Sequence, residues 1–462
     1  MDLTRRSFLK SSGLLTWGAI SANLFTPVLF NRNLYAGTES NNKRLIFIFQ
    51  RGGNDGLNTV IPHGDPAYNA NMRPTLYIPE NLAINSGNGF ASFHPALQPF
   101  MEVYNHSTLN GQAGPGNLAV LHRVAYSGQS RSHFDSEFYW ETGMPGNDTL
   151  AEGMFYRHLN RAIDLDDLNN SFVAAGLSSS QLTALKGAKP IPNFTSAANY
   201  NLSGGATTAS RFLGQAPGSA GSPNGSGLLG IYGAAPDQQG KLYRSLVHDT
   251  GKLLGSTIDT LQTAVNQGAY TPENGAVYPT GSMGNRLREA AMLLKRTNVK
   301  VLGLNIGGWD THTAQGQVTG QHANLLGQVA LGFQALYRDL QSMWDDVLVV
   351  TMTEFGRTSE ENGSQGTDHA EACVMFAAGG AVNGGVYNCD PTTWDTSGVS
   401  PIFQKSGRYL SRRTDYRAVM AEIFSTYFGD GDSGLEEIMP GYGAAAAENP
   451  TDFARLNFIR ST

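Results

Sequence analysis

Leu45-Ile46-Phe47-Ile48-Phe49 runs directly into Gln50-Arg51-Gly52-Gly53-Asn54-Asp55-Gly56-Leu57-Asn58. The first five residues are apolar without alternation, so neither side of the segment is meant to meet water. That is the pattern of a strand in a parallel sheet covered on both faces. Three more such runs occupy residues 118–121, 301–306 and 347–352, and a fifth follows at 373–378. Apolar residues at helical spacing fill 245–265, 284–295 and 321–344. Strand and helix in alternation define an α/β fold, a doubly wound and mainly parallel sheet with helices on both faces. Residues 43–462 read as a single domain. Within it, a stretch near 204–233 is rich in Gly, Ser, Ala and Asn and reads as a surface excursion.

Composition narrows the partners. Only 15% of the 462 residues are charged, against about 25% in an average soluble protein. The formal net charge of -6 argues against nucleic acid or an anionic membrane surface as the main partner. Two cysteines, Cys373 and Cys389, are too few for a disulfide framework. Cys373 reads as a small core hydrophobe, and a bridge to Cys389 is chemically open in an oxidising compartment.

The N-terminus supplies an address. Thr4-Arg5-Arg6-Ser7-Phe8-Leu9-Lys10 precedes a mostly apolar stretch, 13–30, that holds no Asp, Glu, Lys or Arg. Asn31-Arg32-Asn33-Leu34-Tyr35-Ala36 closes the segment. A basic head, an apolar middle and a small exit residue make an export signal, and the paired arginines select the twin-arginine type. Residues 1–36 are therefore expected to be a signal peptide read by the twin-arginine machinery, with a periplasmic or secreted product. An uncleaved anchor is the alternative, since the stretch approaches the roughly 18–20 residues that span a bilayer.

Polar residues able to do chemistry follow the strands. In open α/β sheets, ligands sit beyond the carboxyl ends of the strands. Asp55 is placed to hold a cation, although Gly-Asn-Asp-Gly is equally good turn chemistry. Asp310 and His312 stand two residues apart after 301–306, on one face if the segment is extended. A carboxylate and an imidazole so placed form half of a divalent metal site; a helix-capping Asp beside an incidental His is the plainer reading. Thr353-Glu354-Phe355-Gly356-Arg357 offers a further ligand, Glu354, and a guanidinium, Arg357, that suits an anionic substrate group. A surface salt bridge between the two is the alternative. His369, just before 373–378, completes the set or fills a core position.

Ser130-Arg131-Ser132-His133-Phe134 opens the pattern Glu137-Phe138-Tyr139-Trp140-Glu141-Thr142-Gly143. Ser132 at a helix start is either a nucleophile in the field of the helix N-terminus or simply the cap. Arg131 would clamp an anion, and His133 would be a further ligand or a general base.

Taken together, the arginine pair, Gly52-Gly53-Asn54-Asp55-Gly56-Leu57-Asn58, Ser132-His133-Phe134, Gly307-Gly308-Trp309-Asp310-Thr311-His312, Thr353-Glu354-Phe355-Gly356-Arg357 and Gly366-Thr367-Asp368-His369 resemble the exported family known as domain of unknown function 1501. That family is grouped by fold with alkaline phosphatases and sulfatases, which hold metal ions and a Ser, Thr or modified Cys nucleophile. The resemblance implies that Asp55 is the acidic ligand after the first strand, and that Asp310, His312 and His369 serve a metal. Glu354-Phe355 falls where the superfamily has Asp-His. Trp140-Glu141-Thr142-Gly143 is similar to the end of the nucleophile helix, and the usual interval back from it reaches His133, one place from Ser132.

The function so implied is an extracytoplasmic metal-dependent hydrolase of phosphate or sulfate esters, on a small anionic or polymeric substrate. The metal set would be Asp55, Asp310, His312, Glu354 and His369, with Zn, Mn, Ca and Mg not distinguished. Ser132, His133, Arg131 and Arg357 would carry the chemistry. A non-catalytic exported binding or assembly protein on the same fold is the alternative.

Overall fold

Alternate residues of the first strand point into two different cores. In the computed structural model, which describes residues 42–105, 116–200, 242–460 and parts of 214–230, strand β1 (Arg44–Gln50) sends Leu45, Phe47 and Phe49 to one side and Ile46 and Ile48 to the other. All five are fully buried. At about 1.5–3 kcal/mol per large apolar side chain removed from water, this one strand anchors both layers. Asn41–Thr462 form one compact unit. Residues 1–36, expected from the sequence to be a signal peptide, and most of 204–233 lie outside the described residues.

The strands in chain order are β1, β2 (Val60–Ile61), β3 (Ile84–Asn85), β4 (Ser92–Phe93), β5 (Leu118–Ala125), β6 (Ala174–Leu177), β7 (Asn193–Phe194), β8 (Val301–Ile306), β9 (Val347–Thr353), β10 (Cys373–Gly379), β11 (Gly385–Tyr387) and β12 (Thr414–Asp415). Nine of them build the main sheet in the order β11-β5-β10-β9-β1-β8-β6-β7, with β12 beside β5; β2, β4 and β3 make a small antiparallel sheet. Pairing in the main sheet is parallel except around β10, which runs against both β5 and β9. A βαβ crossover makes parallel neighbours, whereas β9 and β10 are joined by a loop with no helix, so the chain turns straight back.

Helices cover both faces. Leu326, Val329 and Phe333 of α7 (Gln321–Asp339) and Leu287 and Ala291 of α6 (Ser282–Arg296) pack on Ile46 and Ile48 with Phe100 of α2 (Phe100–Asn105). Trp140 of α3 (His133–Thr142), Phe155 of α4 (Met154–Ala162) and Met420 of α8 (Tyr416–Glu422) pack on Leu45, Phe47 and Phe49. Two further helices are α1 (Gly56–Thr59) and α5 (Leu242–Val265). The pattern over 321–344 breaks at Leu340, where the α-helix gives way to a 3-10 helix, Gln341–Asp346. β5 is longer than its apolar run, because His122 and Arg123 continue it as buried residues. Neither cysteine is bridged; both are buried, and the Cys373 thiol donates to the Val124 carbonyl at 3.0 Å.

Register sets the stage for the site. Gln50 of β1 lies beside both Ile306 of β8 and Thr353 of β9. The loops starting at Arg51, Gly307 and Glu354 therefore leave the sheet at one level. The reversed strand β10 starts at that same edge, which brings His369 there, and β5 ends there and leads into α3.

Candidate metal centre

A glycine lets the first two loops touch. Gly52 has φ +125° and lies so close to the second loop that a Cβ on it would fall 2.3 Å from the Asp310 amide nitrogen. Trp309 and Thr311 turn inward and are buried, which leaves Asp310 and His312 facing outward together. The loop after β9 folds back on itself, with Arg357 bridged to His369 across an antiparallel pair. Phe355, fully buried, lies beneath the imidazoles of His133 and His369 at ring-centre distances of 4.9 and 4.5 Å.

Three ligand-type atoms then form a nearly equilateral triangle. His312 Nε2 is 2.9 Å from His369 Nε2 and 3.1 Å from Asp310 Oδ1, and His369 Nε2 is 3.0 Å from the same oxygen. His133 adds a fourth group, its Nε2 3.5 Å from Asp310 Oδ2. In each histidine the other nitrogen is already committed. His369 Nδ1 bonds the Arg131 carbonyl at 2.9 Å, His312 Nδ1 bonds Asp368 at 2.9 Å, and His133 Nδ1 bonds Glu354 at 2.8 Å. A carbonyl only accepts, so His369 donates from Nδ1. Its neutral ring then turns a lone pair from Nε2 toward a carboxylate oxygen and a second imidazole nitrogen.

Lone pairs converging at these distances repel unless a cation sits among them. Ligands about 2.0–2.2 Å from one ion, at angles between a right angle and tetrahedral, are separated by roughly 2.9–3.5 Å. The donor set thus fits a divalent ion, and the backing of each imidazole by a carbonyl or carboxylate is the usual outer shell of metal-bound histidine.

Electrostatics agree with the geometry. Burial by itself would raise the Asp310 carboxyl, but the hydrogen bond and positive charge of Arg357 outweigh it and hold the pKa down at about 2. Burial lowers that of His369, keeping the ring neutral. The hydrogen bond to Glu354 raises that of His133. Asp368 is held below its ordinary value: bonds from Asn362 and His312 exceed the effect of burial.

The structure brings Asp310, His312, His369 and His133 to one rim and gives the other candidates different partners. Asp55 is no ligand there: it is fully buried, bonded through both oxygens to Arg73 at 2.7 and 3.0 Å and to Gln315 at 2.6 Å. Arg73 in turn holds the Thr358 and Ser359 carbonyls, so the pair staples loops together. Glu354, fully buried, supports His133 and accepts from the Gly52 amide. It stands behind the His133 imidazole rather than in the Asp310–His312–His369 triangle. Arg357 is not open to a substrate: its side chain is buried and bonds Asp310 and the carbonyls of Gly52, Gly53, Trp309 and Thr367. Ser132 is the cap of α3, its oxygen accepting from the Asp135 amide at 3.5 Å. Arg131 is exposed at the rim. A second group, His133, Glu137 and Glu354, also offers ligand atoms within 4.8 Å of one another, with Arg51 on Glu137 at 2.5 Å.

Asp368 was not singled out by the sequence, although it directly precedes His369; an Asp next to a ligand is too common in loops to stand out. Arg73 carried no signal at all, because its partner Asp55 sits 18 residues away in a different loop.

Residues 259–398 match the family model described as Protein of unknown function (DUF1501). The matched segment carries Asp310, His312, Glu354, Asp368 and His369, while His133 lies outside it. No curated protein matches the chain.

Proposed function

We propose that the protein is a metal-dependent hydrolase of phosphate or sulfate esters, acting outside the cytoplasm, on an α/β fold of the alkaline phosphatase and sulfatase type. The carrying observation is the triangle of His312 Nε2, His369 Nε2 and Asp310 Oδ1, with sides of 2.9 to 3.1 Å. Asp310, half exposed, leaves the site open to solvent. Asp310, His312 and His369 hold the ion, whose Lewis acidity toward an ester oxygen is the chemistry it supplies when bound. The extracytoplasmic placement rests on Arg5-Arg6 and the apolar stretch behind them.

Ser132 is engaged as a cap, so the reading uses water as the attacking group. His133 would accept the proton of that water at Nε2 as the bond to the ester's alcohol oxygen breaks and then return it to the departing alkoxide, while Glu354, bonded to Nδ1, fixes the ring and stabilises the imidazolium. Arg357 keeps the Asp310 carboxylate in place.

The test is elemental analysis of protein purified without chelators, followed by assays on chromogenic phosphate and sulfate esters. One bound divalent ion per chain, lost in His369→Ala together with ester hydrolysis, supports the reading. Protein that neither carries nor takes up Zn or Mn on titration overturns it. A bound ion without turnover of either ester class turns the reading to the non-catalytic exported protein, which Ser132's engagement as a cap also favours.

A further inference from the structure

Two arginines share one aromatic ring beside the metal centre. The Arg131 guanidinium lies 5.0 Å and that of Arg408 5.2 Å from the ring centre of Tyr409. Both arginines are exposed while Tyr409 is buried, so the ring is a fixed floor under two solvent-facing cations. Neither guanidinium makes a hydrogen bond or ion pair with any described residue. The other arginines at this rim behave differently: Arg51 is matched to Glu137 and Glu141, and Arg357 to Asp310.

Two guanidiniums on one ring bring like charges into the same neighbourhood of a chain that is acidic overall, so the cationic pair is not a by-product of composition. Stacking on an aromatic face orients guanidinium forks without using their N–H groups. The free donors of each fork suit a planar or tetrahedral oxyanion. Position ties the pair to the centre. The Arg131 carbonyl receives His369 Nδ1, and the Arg408 carbonyl accepts from the amide of Ser359, whose neighbour Thr358 donates its amide to the Asp368 carbonyl.

We propose that Arg131 and Arg408, seated on Tyr409, form a subsite for a second, non-reacting anionic group of the substrate. The substrate class is then a molecule with more than one oxyanion, one at the ion and one on the arginine pair. This rests on the metal reading for its meaning, but its binding chemistry does not require the ion.

The experiment uses the full mature chain stripped of metal, with sulfate as the probe, because sulfate stays dianionic across the working pH range. Calorimetric titration of the wild type should show one saturable site, weakened about tenfold in Arg131→Gln or Arg408→Gln and lost in the double variant. Lysine at either position should restore part of the affinity, since charge returns without the fork. Circular dichroism and melting temperature check that the variants stay folded. Sulfate affinity unchanged in the double variant overturns the proposal, as does sulfate binding seen only after metal is restored. If the wild type never takes up metal yet loses sulfate on arginine replacement, the subsite stands and the metal reading falls.

Discussion

Asp368 acts on the centre only through His312. Replacing it by Asn keeps the size but weakens the acceptor at Nδ1, and outer-shell changes of this kind typically cost about 10- to 100-fold in metal affinity. We expect Asp368→Asn to lower Zn affinity by that amount, read by competition with a chromophoric chelator, while the melting temperature of the metal-free protein stays the same. Asp55 tests the opposite role. Removing it strands the buried guanidinium of Arg73, so Asp55→Ala should destabilise the fold by about 3–5 kcal/mol in urea unfolding. Metal bound per folded chain should stay unchanged. A clear loss of metal at unchanged stability would return Asp55 to the ligand set. Both residues are Asp in loops after Gly-rich turns, and nothing in their local sequence separates them. The separation comes from partners: Arg73 and Gln315 for one, His312 for the other.

At the scale of the element, α3 carries two adjacent residues with different duties. Ser132 stops short of the helix and caps it; His133, its first residue, points its ring at Asp310. A cap bond of 3.5 Å is a weak one, so Ser132→Ala should cost about 0.5–1 kcal/mol. Ester hydrolysis, if present, should persist in that variant. Complete loss of turnover in stable Ser132→Ala protein would make the serine a nucleophile after all. His133→Ala should instead abolish turnover while Asp310, His312 and His369 still retain an ion. β10 shows how topology serves chemistry at this scale. Its reversed direction delivers His369 from the start of a strand to the edge where β1, β8 and β9 end. A purely parallel strand in that place would need a crossover helix and would carry His369 to the opposite edge.

For the whole molecule, acid stability is the informative property. His122 and His322 are completely buried, and burial drives both pKa values from 6.5 down to about 3. These rings stay neutral in the fold but take up protons once unfolded. The unfolded chain therefore binds more protons between about pH 6.5 and 3, and stability falls as pH falls through that window. Each contributes about 1.4 kcal/mol per pH unit there. We expect unfolding free energy measured from pH 7 to 5 to drop steeply, and His322→Gln to remove about one proton from the slope. An unchanged slope in that variant would mean that His322 is solvated in the fold. Both histidines lie on the side of the sheet edge that carries loops, His322 bonded to Asn54 and Thr59 and His122 to the Val60 carbonyl. Acid lability should therefore begin around the small sheet and the Asp55 loop, detectable as early amide exchange there.

The apolar runs at 45–49, 301–306 and 347–352 were sufficient to specify buried parallel strands, because a segment without polar alternation has no face to give to water. Helices over 284–295 and 321–344 were legible for the matching reason, a single apolar stripe. The short strands β6, β7, β11 and β12 were not, since two to four residues carry no period. Asp310, His312 and His369 could be picked out by residue type and by their position after strands. Only the tertiary structure separated the members of that list. It gave Asp55 a buried arginine, set Glu354 behind His133, used up Arg357 on main-chain carbonyls, and left Arg131 and Arg408 bare over one tyrosine. Ligand, support and staple are distinguished by which atoms lie within about 3 Å, and those atoms come from loops 18 to 304 residues apart in the chain. A linear pattern records chemical type and local period; it does not record which distant donor reaches a carboxylate first.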